Sequence, residues 1–502
     1  MDTKCGILNA KISKRTLWCK EYIGQLLDQT GKMVNEANGN APAPQELETF
    51  LSTEDKKEKV VNKYNLSGDA ESADFDPFAE RKLDNPTSNM DTLTHLLKAS
   101  LGTGILAMPK AFKRAGLVNG ILFTVLVAVV CTHCAYVLIK CAHVLYKKTK
   151  KTQMTFPEVG QAALENGPQR LRAWGNAFRI FILVSLFATY FGTCSVYTVI
   201  VAKNILQVVA YYMGEEEDKV EIRIFIIALL LPLIFMAWIR NLKYLAPVSM
   251  IANVFMGLGL GITMYYLVGT GELQTENINS MLFKPPTEWP EFFSLTIFAM
   301  EAIGVVMPLE NAMKTPGAML GVTGVLNKGM SFVCVVYILL GFLGYLRFGE
   351  DVLDSITLNL AQSDIPAQIV KIAIAIAVYC TYGLQFFVCV EIMWNGIKDK
   401  YTKRPDLANY VMRTLLVTAC VLLAVAVPTI GPFMGVIGAF CFSILGLIAP
   451  AFIEVITYWN IGFGPGKYLI WKNILVLLFG LFALIFGTKE AINDIIRVYT
   501  LS

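Results

Sequence analysis

Charge is scarce in this chain. Only 16% of its 502 residues are Asp, Glu, Lys or Arg, against about a quarter in soluble domains, which argues against an ordinary soluble enzyme. Histidine is scarcer: His95, His133 and His143 are the only three, too scattered for a metal site, so no metal is expected. There is no G-x-S-x-G elbow, no phosphate-cradling glycine loop and no H-E-x-x-H pair. Catalysis is therefore not expected, and neither is a cofactor. A strong basic excess is also missing, since the net charge is +4, which excludes a nucleic-acid reader. The first 31 residues have no uninterrupted apolar run, because Lys4, Lys11, Lys14 and Arg15 break it. A signal peptide is not expected, and the first hydrophobic span must deliver the chain to the membrane. The eleven cysteines make no disulfide framework. Nine fall in predicted spans, Cys5 and Cys19 fall in the tail, and none falls in a predicted outside loop. They read as small apolar packing residues.

What is present is hydrophobicity, at 55% of residues, and a sharp division of the remaining charge. Residues 1–90 carry 12 Lys/Arg and 15 Asp/Glu; the other 412 carry 31 and 24. The first part reads as a mostly disordered tail, rich in Asn, Glu, Asp, Lys and Ser. Ile7, Leu8, Ile12, Leu17, Tyr22, Ile23, Leu26 and Leu27 outline one short amphipathic helix within residues 5–27. Spanning a bilayer takes about 20 apolar residues. Eleven such stretches are expected, near 92–113, 117–146, 174–211, 222–240, 244–268, 291–313, 322–346, 366–396, 409–427, 431–458 and 468–488. The domains expected are a cytosolic tail at 1–90, a membrane domain at 91–490 and a short outside or lumenal C-terminus at 491–502. Orientation follows from Lys147, Lys148, Lys150, Lys151, Arg170 and Arg172 in one loop and Lys398, Lys400, Lys403 and Arg404 in another. Both fall on the cytosolic side if the N-terminus does too. Glu215, Glu216, Glu217 and Asp218, and Glu350, Asp351 and Asp354, then lie outside. The Asn65-Leu66-Ser67 sequon lies in the tail and is expected to stay unglycosylated.

Two spans carry helix-breaking residues. The first reads Gly102-Thr103-Gly104-Ile105-Leu106-Ala107-Met108-Pro109, and the sixth reads Glu301-Ala302-Ile303-Gly304-Val305-Val306-Met307-Pro308. These two spans open two successive sets of five. Five is odd, so the second set is inverted relative to the first. Matched interruptions in two halves point to an inverted-repeat transporter and to its binding site. Backbone freed at mid-membrane survives only where it lines a cavity or holds a ligand. Half-helix N-termini suit a carboxylate and unwound carbonyls suit an ammonium group, so the site fits a small zwitterion. The competing reading, that the glycines only allow close helix packing, accounts for one break better than for a matched pair.

Ionisable residues at membrane depth are functional candidates by default. His95 lies about 10 Å before Gly102 along the helix, and imidazole titrates near pH 6.5, suiting it to load and release protons. Glu301, at the sixth-span break, can accept from a freed N–H, an ammonium group or a proton. Glu310 is expected to act as a gate or interfacial group, His133 and His143 to be packed or interfacial, and Lys371 and Glu391 to snorkel. Among the polar aromatics of spans three and eight, Tyr190 and Tyr382 fall at the depth of the breaks and join the expected lining.

Thr92 to Lys98 running into Gly102-Thr103-Gly104-Ile105-Leu106 and Pro109 resembles the first span of the proton-coupled amino acid transporter family. That family lies in the amino acid/auxin permease branch of the amino acid–polyamine–organocation superfamily. Lys140 to His143, Ile239 to Leu242, Glu301 to Gly304 through Pro308 to Asn311, and Gly344 to Gly349 with Ser355 to Leu360 extend the resemblance, which covers roughly residues 88–490 and is similar to the family's insect members. It implies an all-α polytopic membrane protein of 11 transmembrane helices in the LeuT-like 5+5 inverted-repeat fold, with helices 1 and 6 broken. It further implies symport of small neutral amino acids such as glycine, alanine or proline with a proton, which serves as the coupling ion in place of any cofactor. On this resemblance the family's proton-sensitive histidine falls on His95, and its substrate breaks fall on Gly102, Thr103 and Gly104 and on Glu301, Ala302 and Gly304; the reading of the residues themselves adds Glu301 to the proton path and Ile105 to the substrate lining. The outside disulfide that vertebrate relatives tend to carry has no cysteines here. Expected partners are amino acids, protons and the lipid bilayer, in the plasma membrane or in late endosomes and lysosomes. The alternatives are a sodium-coupled permease on the same fold, or an amino-acid sensor signalling to a cytosolic partner through the tail.

Overall fold

In a computed structural model, residues 75–83, 86–215, 219–240, 242–269, 278–300, 302–401 and 403–501 are described, all within one compact unit, Glu46–Ser502. The helix expected within 5–27, the sequon and Glu301 lie outside the described residues, as does the expected disorder up to residue 74.

Among the described residues the chain is helical throughout, and its one β feature is an isolated bridge between Thr87 and Met313. The first span is three pieces: α1 (Asn89–Ser100), a 3-10 turn (Thr103–Ala107) and α2 (Met108–Ala115). Ser88 and Asp91 start α1 with a reciprocal capping box, the Ser88 hydroxyl accepting from the Asp91 N–H at 3.2 Å and the Ser88 N–H donating to the carboxylate at 3.0 Å. Gly102 and Gly104 are poor helix formers, and Pro109 suits the first turn of α2, so the helix stops and restarts where those residues stand.

Then follow α3 (Leu117–Thr149), α4 (Phe156–Glu165), α5 (Gly175–Met213), α6 (Ile222–Ala228), α7 (Leu230–Ala237), α8 (Leu242–Gly269) and α9 (Ile278–Leu282). The second interrupted span is α10 (Trp289–Met300) and α11 (Ile303–Ala312). Beyond it come α12 (Val325–Phe348), α13 (Ile365–Ile397), α14 (Pro405–Ala426), α15 (Ile430–Val436), α16 (Ala449–Thr457), α17 (Tyr468–Phe482) and α18 (Thr488–Leu501). A π-helical stretch, Ile437–Ile448, joins α15 to α16, and another, Ala483–Gly487, joins α17 to α18. The chain is therefore still helical past residue 490.

Nine helices among the described residues are long and apolar enough to cross a membrane, and Ile222–Ala237 is a shorter apolar helix. Their outward faces carry exposed Tyr212 (73%), Leu475 (68%) and Trp471 (66%), apolar surface that lipid rather than water would cover. Packing sorts the helices. α12 lies against α1, α2 and α3, and α11 lies against α1 and α3, whereas α13 lies chiefly against α5 and α8. The two interrupted spans meet where Thr87 exchanges backbone hydrogen bonds with Ala312 (2.8 Å) and Lys314 (2.9 Å).

Two expectations change here. Residues 75–83, expected to be part of a disordered tail, are docked: Arg81 is bound to Glu310 and donates to the Thr152 carbonyl at 2.9 Å, while Phe78 packs edge-on against His143. Lys371 does not snorkel. It is 1% exposed and donates to the Leu360 carbonyl at 3.0 Å, a partner supplied by the loop before α13.

Candidate functional site

A cavity of about 90 Å³ opens where the two interruptions face each other. Ala99, Ser100, Gly102, Thr103 and Gly104 come from the first break, and Phe298, Ala299, Ala302, Ile303, Gly304 and Val305 from the second. Leu186, Thr189, Tyr190, Thr193 and Tyr197 of α5 form a third wall, closed by Gln385 of α13 and by Phe442 and Leu445 of the π-helical stretch. At about 10–15 Å³ per water position, the space takes roughly six to nine such positions.

Glycine is required at two of these positions for close approach. A Cβ on Gly104 would stand 2.5 Å from the Ala299 Cα, so the 3-10 turn and α10 touch backbone to backbone. A Cβ on Gly304 would overlap the Tyr190 hydroxyl, which therefore sits directly against the start of α11. Gly102 differs, because the nearest atom to its Cβ would be the Ala99 carbonyl oxygen at 3.8 Å. Tyr197, 5% exposed, brings its hydroxyl beside Thr103 and Gln385.

The structure thus brings Gly102, Thr103, Gly104, Tyr190, Ala302 and Gly304 to one cavity. Three other expected residues stand elsewhere. Ile105 is buried in the apolar core. Tyr382 is 1% exposed, stacks on Phe386 and lies near Cys194, Cys389 and Cys420, because its side of α13 faces α5 and α14. His95 does not line the cavity; it stands on α1 near Asp91, one turn before the lining residue Ala99. Tyr197, Thr193 and Gln385 are lining residues that sequence reasoning placed on the right spans without singling out.

Ion pairs flank the cavity at both ends, about 10 Å along the interrupted helices from the breaks. Toward the tail, Glu310 (0% side-chain exposure) meets Arg81 at 3.2 Å, His143 Nε2 at 3.0 Å and the Tyr146 hydroxyl at 2.9 Å. At the other end, Lys110 of α2 meets Asp354 at 2.6 Å and Glu291 of α10 at 3.5 Å, while Arg114 meets Glu291 at 2.6 Å. Asp354, in the loop between α12 and α13, also accepts from the Gly431 N–H at 2.9 Å. Burial alone would raise its carboxyl, but Lys110 and Lys203 beside it hold it well below the usual carboxylate range. A larger groove of about 580 Å³ between α3 and α12 includes His133 and exposed Val125, Val129 and Val322. It opens on the lipid-covered face and contains none of the expected substrate residues.

A small cavity at two interrupted helices, within a bundle of apolar spans, is the arrangement of a membrane carrier for small solutes. The chain belongs to the transmembrane amino acid transporter protein family, whose pattern matches residues 85–493. It is accordingly a multi-pass membrane protein and a transporter rather than an enzyme. The Drosophila melanogaster protein named Proton-coupled amino acid transporter-like protein pathetic is 57% identical over 477 residues, covering 93% of this chain and 98% of that one. Caenorhabditis elegans Probable amino acid transporter skat-1 is 22% identical over 479 residues, covering 90% and 99%. Among solved structures, the inward facing conformation of Mhp1 is similar at 14% identity and a TM-score of 0.45, over 84% of this chain and 92% of that one.

Proposed function

We propose that the protein is a secondary active transporter that carries small neutral amino acids, of the glycine, alanine and proline type, together with protons by alternating access. The observation that carries this reading is the cavity of about 90 Å³ between the two breaks. The start of α11, from Ala302 to Val305, offers a helix N-terminus to the substrate carboxylate. The end carbonyls of α1 and α10 receive the ammonium group. Tyr190 bounds the substrate side chain. His95, one turn from the cavity, loads the proton, with Glu301 as its partner in coupling; the printed name of the Drosophila relative supports a proton as the driving ion.

The fold reading that goes with this is eleven spans in two inverted sets of five. The nine long helices are joined by the broken first span and by Ile222–Ala237. The tail is cytosolic, and the membrane is the plasma membrane or that of late endosomes and lysosomes. The unit of α1–α3 and α10–α12 rocks against α5, α8 and α13. The Arg81–Glu310 and Lys110–Asp354 pairs break in turn as the inner and outer gates. The driving force suffices: one pH unit is worth about 1.4 kcal/mol and 100 mV about 2.3 kcal/mol per charge. Together they sustain a gradient of several hundred-fold, at about 1.4 kcal/mol per factor of ten.

The test is uptake of labelled glycine, alanine and proline into proteoliposomes with an imposed pH gradient and no sodium. Uptake that follows the proton gradient supports the reading; uptake only with sodium overturns the choice of ion. His95→Ala is expected to abolish the acid stimulation, and wild-type uptake by that variant at about pH 5.5 would remove His95 from the proton path.

A further inference from the structure

Tyr337, on α12, is fully buried, and its hydroxyl stands 2.5 Å from the Ser100 carbonyl oxygen and 3.0 Å from the Ala299 carbonyl oxygen. These carbonyls belong to the two breaks. Ser100 is the last residue of α1 and Ala299 the last but one of α10. The final four carbonyls of a helix have no partner within it, so each break presents acceptors that something else must satisfy. Both residues also line the cavity. A phenol has one proton, so a single donor is shared by two acceptors from different spans. α12 is seated closely enough to hold that donor in place: a Cβ on Gly329 would stand 2.6 Å from Leu96 of α1, and the Ser100 hydroxyl approaches the Met330 sulfur at 3.9 Å.

We propose that Tyr337 is a positioning residue for substrate recognition. Its hydroxyl holds the Ser100 and Ala299 carbonyls in one fixed relation, so that the two breaks act as a single acceptor pair for the substrate's ammonium group and move with α12 as one body. The inference rests on the amino acid transport reading. Water in the cavity can replace the hydrogen bonds of Tyr337, since both residues line that space, but it cannot replace their alignment. Loss of the hydroxyl therefore falls on affinity rather than on folding.

The experiment is alanine uptake by full-length Tyr337→Phe in proteoliposomes, normalised to the amount of inserted protein. KM is expected to rise about 2- to 12-fold, the span set by one neutral hydrogen bond, while the maximal rate per transporter stays within about twofold. An unchanged KM, or a loss confined to maximal rate or protein amount, overturns the proposal. If the variant inserts poorly, binding of labelled alanine to the detergent-purified full chain gives the same comparison through Kd. A variant that cannot be recovered folded in detergent marks Tyr337 as merely structural and also overturns it. A wild-type chain that accumulates none of the three amino acids overturns the transport reading, and the inference with it. Normal wild-type uptake matched by Tyr337→Phe overturns the inference alone.

Discussion

Replacing Gly104 with alanine places a Cβ 2.5 Å from the Ala299 Cα, 2.8 Å from its Cβ and 3.3 Å from its backbone nitrogen. Two of the three contacts are to backbone, so no rotamer change relieves them. The 3-10 turn and α10 must separate by about an ångström to restore ordinary carbon–carbon contact. Overpacking of this kind costs about 1–3 kcal/mol, a factor of roughly 5 to 150 in any state that keeps the two segments touching. The cavity lies between those segments, so the cost falls on the substrate-holding arrangement. Gly102→Ala serves as the internal control, because its Cβ would find its nearest neighbour at 3.8 Å. In proteoliposome uptake of labelled alanine, normalised to inserted protein, Gly104→Ala should lose at least about fivefold in Vmax/KM. Gly102→Ala should stay within about twofold, the effect expected of a substitution away from close contact. Pairing Gly104→Ala with Ala299→Gly removes the 2.8 Å clash but not the 2.5 Å one, so partial recovery is expected. Equal activity of the two single variants would refute the backbone-contact account of the first break.

Four further outcomes follow from the geometry. Tyr197→Phe, which removes a cavity hydroxyl beside Thr103 and Gln385, should raise the alanine KM about 2- to 12-fold. Tyr382→Phe should leave KM unchanged in the same uptake assay, since that hydroxyl lies outside the cavity, beside Cys420. Arg81→Ala removes one member of a buried pair whose side chains are 3% and 0% exposed. Such a loss costs about 3–5 kcal/mol, so trypsin cleavage after Lys82 should accelerate at least about tenfold, and an unchanged rate would deny that residues 75–83 are docked by that pair. Asp354→Asn, which weakens the bond to Lys110, should lower the melting temperature by a few degrees, and by the same amount at pH 7.5 and pH 5. The reason is the sign of the shift. A carboxyl depressed in the folded state contributes stability that is present above its unfolded value near 4 and is lost only as pH falls through the lower folded value. A gap between variant and wild type that closes by pH 5 would contradict that sign.

Interruptions in helices are local events, and they were legible in the sequence for that reason. Gly102, Gly104 and Pro109 weaken a helix through their own backbone properties, wherever the rest of the chain lies. Which tyrosines reach the breaks is a different kind of question. Tyr190 and Tyr197 are seven residues apart on α5, hence on one stripe, and both face the cavity. Tyr382 lies at a comparable position along α13, yet that helix is rotated so that Tyr382 packs toward Cys194 and Cys420, while Gln385 faces the cavity. Hydropathy has no means of expressing rotation about a helix axis when both faces are buried. The docking of residues 75–83 was hidden for a related reason: a polar, charged composition argues for solvation, and the partners that order Arg81, the buried carboxylate of Glu310 and the Thr152 carbonyl, lie far away in the chain.

The sequence by itself determined that this is a helical membrane protein, which two of its helices are interrupted, and which family of transporters it belongs to. These properties follow from composition, period and local backbone chemistry. Only the tertiary structure decided that the two breaks meet, that Gly104 sits against Ala299, that Tyr337 joins the carbonyls of both, and that ion pairs flank the cavity at either end. Each of those contacts joins residues far apart in the chain, and their partners are chosen by helix rotation and packing rather than by either residue's own neighbours.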